Sequence, residues 1–336
     1  MDLNKIFIKD ACPAKIGGQA VLEGIMMKGP DRTAIVVRKP NNDMHIKISP
    51  LAKPSVWRKI PIIRGILIFV EALITGTKTL LYSAEVLENS GGGEEYEEDK
   101  FTLWLERKFG EKGAFNIMLY FSVALAILFT VIIFIILPTW VVNIFGSLTS
   151  SEIILNLFEG MLRILLFVGY VALISRMKDI KTVFKFHGAE HNCIHCYENG
   201  LELTVENCSK FETLHPRCGT SFLMFVMVIS LLLFSLLGWP NLLIRIASRL
   251  LLVPFIAGLS YELLRFAGKG NSMVIKVLSL PGLALQKLTT KKPDEKQLEV
   301  AIAALKAVLN PQGPLKYTGL TDIEGNLFAE EMVTDK

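Results

Sequence analysis

Long apolar segments dominate the middle of the chain and predict helices that cross a membrane. A hydrocarbon core about 30 Å thick requires roughly 20 consecutive apolar residues in a helix. Segments that approach this length lie at about 117–137, 155–175, 221–238 and 242–264. The fourth contains Arg245, Arg249 and Glu262, and we place ionisable groups near mid-membrane in that span alone. We expect the two arginines to extend toward the outer membrane surface.

The segment before these spans, residues 60–87, has a different pattern. Charged residues recur every seven positions at Arg64, Glu71, Lys78 and Glu85, on an otherwise apolar helix. Such a narrow polar stripe suits a helix in the membrane interface, with its charges toward water. It also suits a helix buried in a bundle with the stripe facing a polar cavity. Because charges at membrane depth are costly, we favour an interfacial or half-buried helix over a lipid-exposed span.

The two ends of the chain alternate short β-branched runs, turns and one amphipathic helix. The runs 33–38 and 45–49 predict strands around a turn at 40–43, and we expect His45 at the surface. A last helix should begin at Pro293-Asp294 and present Leu298 and Ile302 on one face. The predicted fold is mainly α, a multi-pass membrane protein with about four transmembrane helices, a small β-rich N-terminal cap and a His/Cys-rich loop. Its segments are the cap 1–59, the amphipathic helix 60–87, an acidic linker and soluble helix 88–116, a first hairpin 117–175, the loop 176–220, a second hairpin 221–266 and the C-terminal segment 267–336.

Charge sets the expected orientation and excludes some functions. Lysine and arginine crowd the regions before the first span and after the second and fourth, so the positive-inside rule places both termini and the loop 176–220 in the cytoplasm. We therefore expect a protein of the cell membrane whose partners are the lipid bilayer and other membrane proteins. A formal net charge of only +4 gives no sign of a nucleic-acid partner. Five cysteines, an odd number clustered beside histidines, indicate reduced thiols.

The strongest chemical signal lies in the loop. The chain has five histidines and five cysteines, and residues 184–221 contain four of each. His187 and His191 share a helical face, and Glu190 completes H-x-x-E-H, the order of inverzincin metalloproteases. In that chemistry two histidines hold zinc and the glutamate is the general base. A third zinc ligand would come from Glu198, His215 or Cys218.

The same stretch supports a second interpretation. Cys193 and Cys196 form C-x-x-C, and His215 and Cys218 form H-x-x-C about eighteen residues later. Three thiolates and one imidazole suit a closed structural zinc site. A third interpretation needs no metal and treats these residues as polar groups of a loop.

Several segments of the chain resemble the bacterial DUF1385 membrane proteins. They are IGGQAVLEGIMMKGP at 16–30, FHGAEH with CYE at 186–198, LTVEN at 203–207, HPRCGTSF at 215–222 and PGLALQKLTTKKPDEKQLEVAIAALKAVL at 281–309. The resemblance implies a multi-pass membrane protein that has been guessed to be a metal-dependent enzyme. The pattern carries over to His187, Glu190, His191, Glu198, His215, Arg217 and Cys218.

Two functions of different classes follow. The first is a zinc-dependent hydrolase with Glu190 as general base and Arg217 stabilising a developing oxyanion. The second is a non-catalytic protein in which zinc staples a cytoplasmic domain to its anchor, as a scaffold or accessory factor in membrane-protein biogenesis. Three protein ligands favour the enzyme and four favour the staple. A transporter is a weaker third option, because we find ionisable residues near mid-membrane only in the fourth span.

Overall fold

The computed structural model of the 336-residue chain is mainly helical. It describes residues 6–7, 12, 14, 16–53, 55–92, 100–144, 151–237, 242–267 and 273–328. The five strands are β1 Gly17–Val21, β2 Gly24–Lys28, β3 Arg32–Arg38, β4 Met44–Pro50 and β5 Tyr317–Thr321. The α-helices are α1 Ile63–Leu87, α2 Lys100–Val131, α3 Leu137–Ile144, α4 Glu152–Ile174, α5 Lys178–Glu198, α6 Val205–Ser209, α7 Gly219–Ser235, α8 Leu242–Ala267, α9 Met273–Thr289 and α10 Glu295–Leu309.

The strands form one antiparallel sheet in the order β1-β2-β3-β4-β5. The two strands predicted around residues 40–43 are confirmed as β3 and β4. Successive side chains of a strand point to opposite faces, and both faces of this sheet are covered. Ile25, Val36 and Ile46 pack in a core with α5 and α10, whereas Met26 and Ile35 pack with the end of α1. His45, expected at the surface, is buried and lies 2.7 Å from the Tyr82 hydroxyl of α1.

The sheet joins the two ends of the chain. Strand β5 pairs with β4, so that Ile46 lies opposite Gly319. The segments 1–59 and 267–336, which we separated in the sequence, thus share one sheet. Helix α10 begins after Asp294, whose backbone N–H donates to the Gln297 side chain at 2.7 Å, as in a capping box. Its buried face includes Leu298 and Ile302 as predicted, and it packs on β2 and β3.

Among the described residues, four helices are long and apolar enough to cross a membrane: Ile63–Gly91, Tyr120–Ile144, Glu152–Ile174 and Ile246–Phe266. Three of them coincide with predicted spans. The predicted span 221–238 corresponds to α7, which has only 17 residues. The fourth candidate is instead α1, which we expected in the interface. The predicted soluble helix forms the start of α2 and is separated from the apolar part by a break at Gly110. Most of the predicted acidic linker, residues 93–99, lies outside the described residues.

The chain divides into two compact units. The larger comprises residues 1–92, 171–229 and 253–336, and contains the sheet and the histidine-rich helix α5. The smaller comprises residues 93–170 and 230–252.

The smaller unit contains a buried ion-pair cluster that corrects two expectations. Arg249 is 5% exposed and donates to Glu159 Oε2 at 2.9 Å and to Asn156 Oδ1 at 3.1 Å. It therefore does not extend to the membrane surface. Glu159 also accepts hydrogen bonds from Thr139 and Arg163. Since α4 supplies both Glu159 and Arg163, ionisable groups are not confined to the fourth span. A buried carboxylate and guanidinium stabilise each other only when both are present.

Candidate metal centre

Helix α5 presents the histidines of the predicted motif on one of its faces. His187, His191 and His195 follow one another at intervals of four residues, and Glu190 lies between the first two. This spacing places all four side chains on one helical face. The C-terminal half of the helix is almost entirely buried. Burial of so many polar groups requires partners for them, and the segment after α5 returns to supply these partners.

Three potential metal ligands converge where the end of this segment meets α5. One donor atom each from His187, His191 and Cys218 lies within 4.8 Å of the other two. Nε2 of His187 is 3.1 Å from Cys218 Sγ. Nδ1 of His187 donates to the Thr289 carbonyl at 2.9 Å, and Nδ1 of His191 donates to the Thr213 carbonyl at 2.6 Å. Carbonyl partners of this kind orient histidines that ligate metals through the other nitrogen.

His191 supplies the clearest sign that a ligand is needed. With its Nδ1 proton committed to Thr213, its Nε2 lone pair is an acceptor. That nitrogen is buried and has no hydrogen-bond partner. A buried polar atom without a partner costs roughly 1–3 kcal/mol, whereas a metal coordinated by Nε2 would satisfy it. Two imidazoles and one thiolate are also a donor set that zinc binds well. The residues therefore fit a zinc ion.

The surroundings of Cys218 favour the thiolate form of its side chain. Burial alone raises its pKa, but the charge of His187 is the largest opposing effect, and the pKa lies well below the usual value. Burial alone lowers the pKa of His187, and the Cys218 charge and hydrogen bond outweigh it, raising this pKa to about 9. Thr220, at the start of α7, donates its backbone N–H to the sulfur at 3.4 Å. Cys218 and His187 thus resemble a thiolate and an imidazolium that share one proton.

Glu190 is enclosed beside this group. Burial raises the pKa of its carboxyl group, against the opposing effects of His191 and His187. Strand β1 closes over the carboxyl at Gly18, whose backbone also donates a hydrogen bond to it. A Cβ at Gly18 would lie 2.8 Å from Glu190 Cδ and 2.9 Å from the backbone oxygen of Met26, so only glycine allows this approach.

A cavity of about 390 Å³ opens onto the three candidate ligands. Strand β1 lines one side and α5 the other, and residues 215–220 complete the wall. Glu190, Arg217 and Gln19 are also among the lining residues. This volume is within the range of small-molecule sites. The arrangement therefore combines a potential metal position, a carboxyl group with a raised pKa and space for a ligand.

The other predicted ligands belong to a second group. His195, Glu198 and His215 also place one donor atom each within 4.8 Å of the others, but acceptor atoms of Glu198 and His215 already receive hydrogen bonds. Nε2 of His195 donates to the Leu214 carbonyl at 3.0 Å, and Nδ1 of His215 accepts from the Arg217 N–H at 3.3 Å. Arg217 donates to both carboxylate oxygens of Glu198, and the Ala14 N–H donates to Glu198 Oε1 at 2.8 Å.

The electrostatics of this second group agree with that pairing. Burial lowers the pKa of His195 to about 4 and that of His215 to about 3. Burial alone would raise the pKa of Glu198, but hydrogen bonds from His215 and Ala14, with the charge of Arg217, lower it to about 2. Near neutral pH the group therefore contains two neutral imidazoles and an ion pair that neutralises the buried carboxylate.

The C-x-x-C interpretation requires Cys193 and Cys196 to lie with His215 and Cys218. The structure does not place these four residues in one group. Cys193 and Cys196 are buried in the hydrophobic core with Cys208. Hydrogen bonding to neighbouring thiols and burial raise the pKa of Cys196 and Cys208. Within the described residues, neither candidate ligand group contains these cysteines. The site of three thiolates and one imidazole therefore has no geometric basis here.

Comparison with known proteins identifies the family. The model described as "Protein of unknown function (DUF1385)" matches residues 60–311. The chain belongs to this family. It is 34% identical over 309 residues to "Uncharacterized protein YqhQ" of Bacillus subtilis (strain 168), which covers 90% of this chain and 94% of that protein. No solved structure shows significant similarity to the chain. The DUF1385 match contains both donor groups, whereas β1 and Gly18 precede it.

Some residues of this DUF1385 centre were not singled out in the sequence. The Gln286 side chain accepts from the His215 N–H at 2.8 Å and donates to the His215 carbonyl at 2.9 Å. Thr289 and Thr213 act through backbone carbonyls, so no side-chain pattern reveals them. Gln286 and Thr289 do lie within the segment 281–309, and its resemblance to the family was the one signal that could have indicated them.

Proposed function

We propose that this member of the DUF1385 family is an integral membrane protein with a zinc site formed by His187, His191 and Cys218, and that the site catalyses hydrolysis. The observation that carries the proposal is the convergence of three ligand atoms beside an open cavity, with the buried His191 Nε2 lacking a partner. Three protein ligands leave one tetrahedral position for water or substrate, which is the pattern of catalytic rather than structural zinc.

When bound, zinc would supply Lewis acidity and lower the pKa of a coordinated water towards neutrality. The remaining work falls to the chain. Glu190 accepts the proton of the attacking water and returns it to the leaving group. A carboxyl whose pKa is raised by burial suits this exchange, because a general acid–base group works best with a pKa near the working pH. Thr289 and Thr213 hold His187 and His191 in the orientation that aims each Nε2 at the site.

Arg217 has a less direct place in the proposal. It lines the cavity, but its nearest partner is Glu198 rather than the zinc-binding group. Its role in stabilising an oxyanion stays a prediction. We assign Arg217 first to neutralising the Glu198 carboxylate. This pairing leaves the second donor group without need of a metal ion.

A non-catalytic zinc staple is the second candidate. It is favoured by the position of the ligands, which link α5 to the start of α7. The staple needs a fourth protein ligand, and Glu190 is the carboxylate beside the group. Under this alternative Glu190 holds the metal, whereas under the catalytic proposal it does not.

Glu190→Gln in the full-length protein separates the two candidates. Glutamine preserves size and hydrogen bonding but removes the basic carboxylate. The catalytic proposal predicts an unchanged melting temperature, about one zinc per chain as for an intact three-ligand site, and failure in a cell-based complementation test. Glu202→Gln, exposed on the following loop, is the matched control and should pass all three tests. Loss of zinc in Glu190→Gln would support the staple, and full complementation would contradict catalysis.

The orientation in the membrane is part of the proposal. We place the loop 176–220 and both termini on the cytoplasmic side of the cell membrane, because lysine and arginine crowd that side of the predicted hairpins. A single cysteine introduced at Asn199 should resist an impermeant thiol reagent in intact cells, and one at Ser147, outside the described residues, should react. The reverse pattern would contradict this orientation.

A further inference from the structure

A second cavity, of about 510 Å³, lies beside the metal-site cavity in the larger unit. One face of α1 forms its longest wall, including Phe69, Leu73 and Gly76. Residues of α7 and of the last part of α8 form the others. The ring centroids of Phe69 and Phe222 are 5.7 Å apart, so α1 and α7 are packed together at the groove. We call this cavity the α1–α7 groove.

The groove and the metal-site cavity adjoin each other. Gln19, Gly219 and Thr220 line both. Thr220 also donates its N–H to Cys218 Sγ, one of the proposed zinc ligands. On the other side, Gln19 Nε2 lies 3.4 Å from the Gly76 carbonyl of α1. A ligand in the groove therefore has one end beside the residues that border the metal site.

The far end of the groove is bounded and its side is open. A Cβ on Gly65 would lie 2.8 Å from Gly258 Cα, so α1 and α8 are in contact there. Leu73 and Leu223, in contrast, are 56% and 40% exposed. Both α1 and α8 contain stretches long and apolar enough to cross a membrane. In a bilayer the open side would face lipid chains, because exposed leucines are stable there and not in the headgroup region.

The size of the groove selects among apolar ligands. An apolar protein cavity of about 150 Å³ holds one benzene, so 510 Å³ offers room for roughly twenty carbon atoms. A helix with its side chains is about 10–12 Å across and rises 1.5 Å per residue, so the same volume would hold only about one turn. The groove suits a single flexible chain better than a transmembrane helix of a protein substrate.

We infer that the α1–α7 groove binds one long acyl chain and that the substrate of the metal centre is an acyl ester or amide taken from the bilayer. The substrate class rests on the proposed function, whereas binding of the chain does not. In the reaction, a water oxygen bonds to the acyl carbon and the bond from that carbon to the ester oxygen or amide nitrogen breaks. Glu190 takes a proton from the water and gives it to the leaving group, yielding a fatty acid and an alcohol or amine.

The test uses full-length protein in phosphatidylcholine nanodiscs and a palmitic acid analogue with a photoreactive diazirine near its methyl end. Cross-linked peptides are mapped by mass spectrometry. Leu73→Trp narrows the groove, and Ile74→Trp is the matched control, since Ile74 is the next residue, is 52% exposed and does not line the groove. We expect labelling of α1 or α8 residues near Gly65 in the native protein. Leu73→Trp should lower it at least about fivefold, as overpacking an apolar site does, and Ile74→Trp should not.

Each outcome bears on the inference. Equal labelling of the two tryptophan variants, or no labelling of groove peptides, would overturn it. Displacement of the analogue by a transmembrane peptide but not by palmitic acid would also overturn it, in favour of a protein substrate. Glu190→Gln should be labelled like the native chain. If groove labelling is found but zinc-loaded native protein hydrolyses no palmitoyl ester or amide, the acyl site stands and the proposed hydrolysis fails.

Discussion

The two donor groups of the larger unit have similar composition and opposite character. His187, His191 and Cys218 face a cavity, and one buried nitrogen among them has no partner. His195, Glu198 and His215 are bonded to backbone groups or to Arg217. Proximity of donors is therefore not sufficient for a metal site. What distinguishes the groups is that a buried lone pair of the first has no partner, whereas Arg217 already neutralises the carboxylate of the second.

The largest expected effect is on metal content, and it compares one histidine from each group. His191→Gln removes a proposed ligand and should reduce zinc affinity by more than the roughly 10- to 100-fold expected for an outer partner. His195→Gln removes a histidine whose nitrogen already serves Leu214, so it should leave about one zinc per chain, as in a three-ligand site. Elemental analysis after dialysis measures both. Loss of metal in His195→Gln alone would reverse the assignment.

The second prediction concerns stability and tests whether the second group is held by its ion pair. Arg217→Ala leaves the Glu198 carboxylate buried without its partner, which should cost about 3 kcal/mol, the lower end for a broken buried pair because Arg217 is partly exposed. The exposed pair Lys210–Glu206 provides a control, since such surface pairs contribute little. Thermal unfolding in detergent compares Arg217→Ala with Lys210→Ala. Adding Glu198→Gln to the first variant should recover part of the loss, and no recovery would contradict the pairing.

The third prediction concerns protons. The pKa of His187 is raised to about 9, so below that pH the metal-free site holds a proton that zinc must displace. Zinc affinity should therefore rise with pH up to about 9, by roughly tenfold per unit for one proton. His195 and His215, with pKa values of about 4 and 3, are already neutral at pH 7. Calorimetric titration in buffers of different ionisation enthalpy should show release of at least about one proton per zinc. Release near zero would place the metal in the second group.

Local features of this site were predictable from the sequence. The spacing of His187, Glu190 and His191 on a helix follows from 3.6 residues per turn. The hairpin around residues 40–43 and the helix after Asp294 follow from turn and capping preferences within a few residues. Each of these depends on neighbours in the chain, which a single sequence contains.

Contacts between distant segments were not predictable in the same way. Cys218 joins His187 and His191, and Glu198 joins His215, only because the chain after α5 returns in one particular path. The pairing of β5 with β4 and the burial of Arg249 beside Glu159 also join residues far apart in sequence. Alternation and charge show that such groups need partners, but they do not identify which partners the fold supplies.

X-ray absorption at the zinc edge of metal-loaded protein tests the central claim most directly. Sulfur and nitrogen ligands differ in distance, about 2.3 Å against about 2.0–2.1 Å, and only one of the two donor groups contains a cysteine. The site formed by His187, His191 and Cys218 predicts one sulfur and two imidazole nitrogens, with one further light atom. A sphere of nitrogen and oxygen without sulfur would place zinc at His195, Glu198 and His215, and would contradict the account.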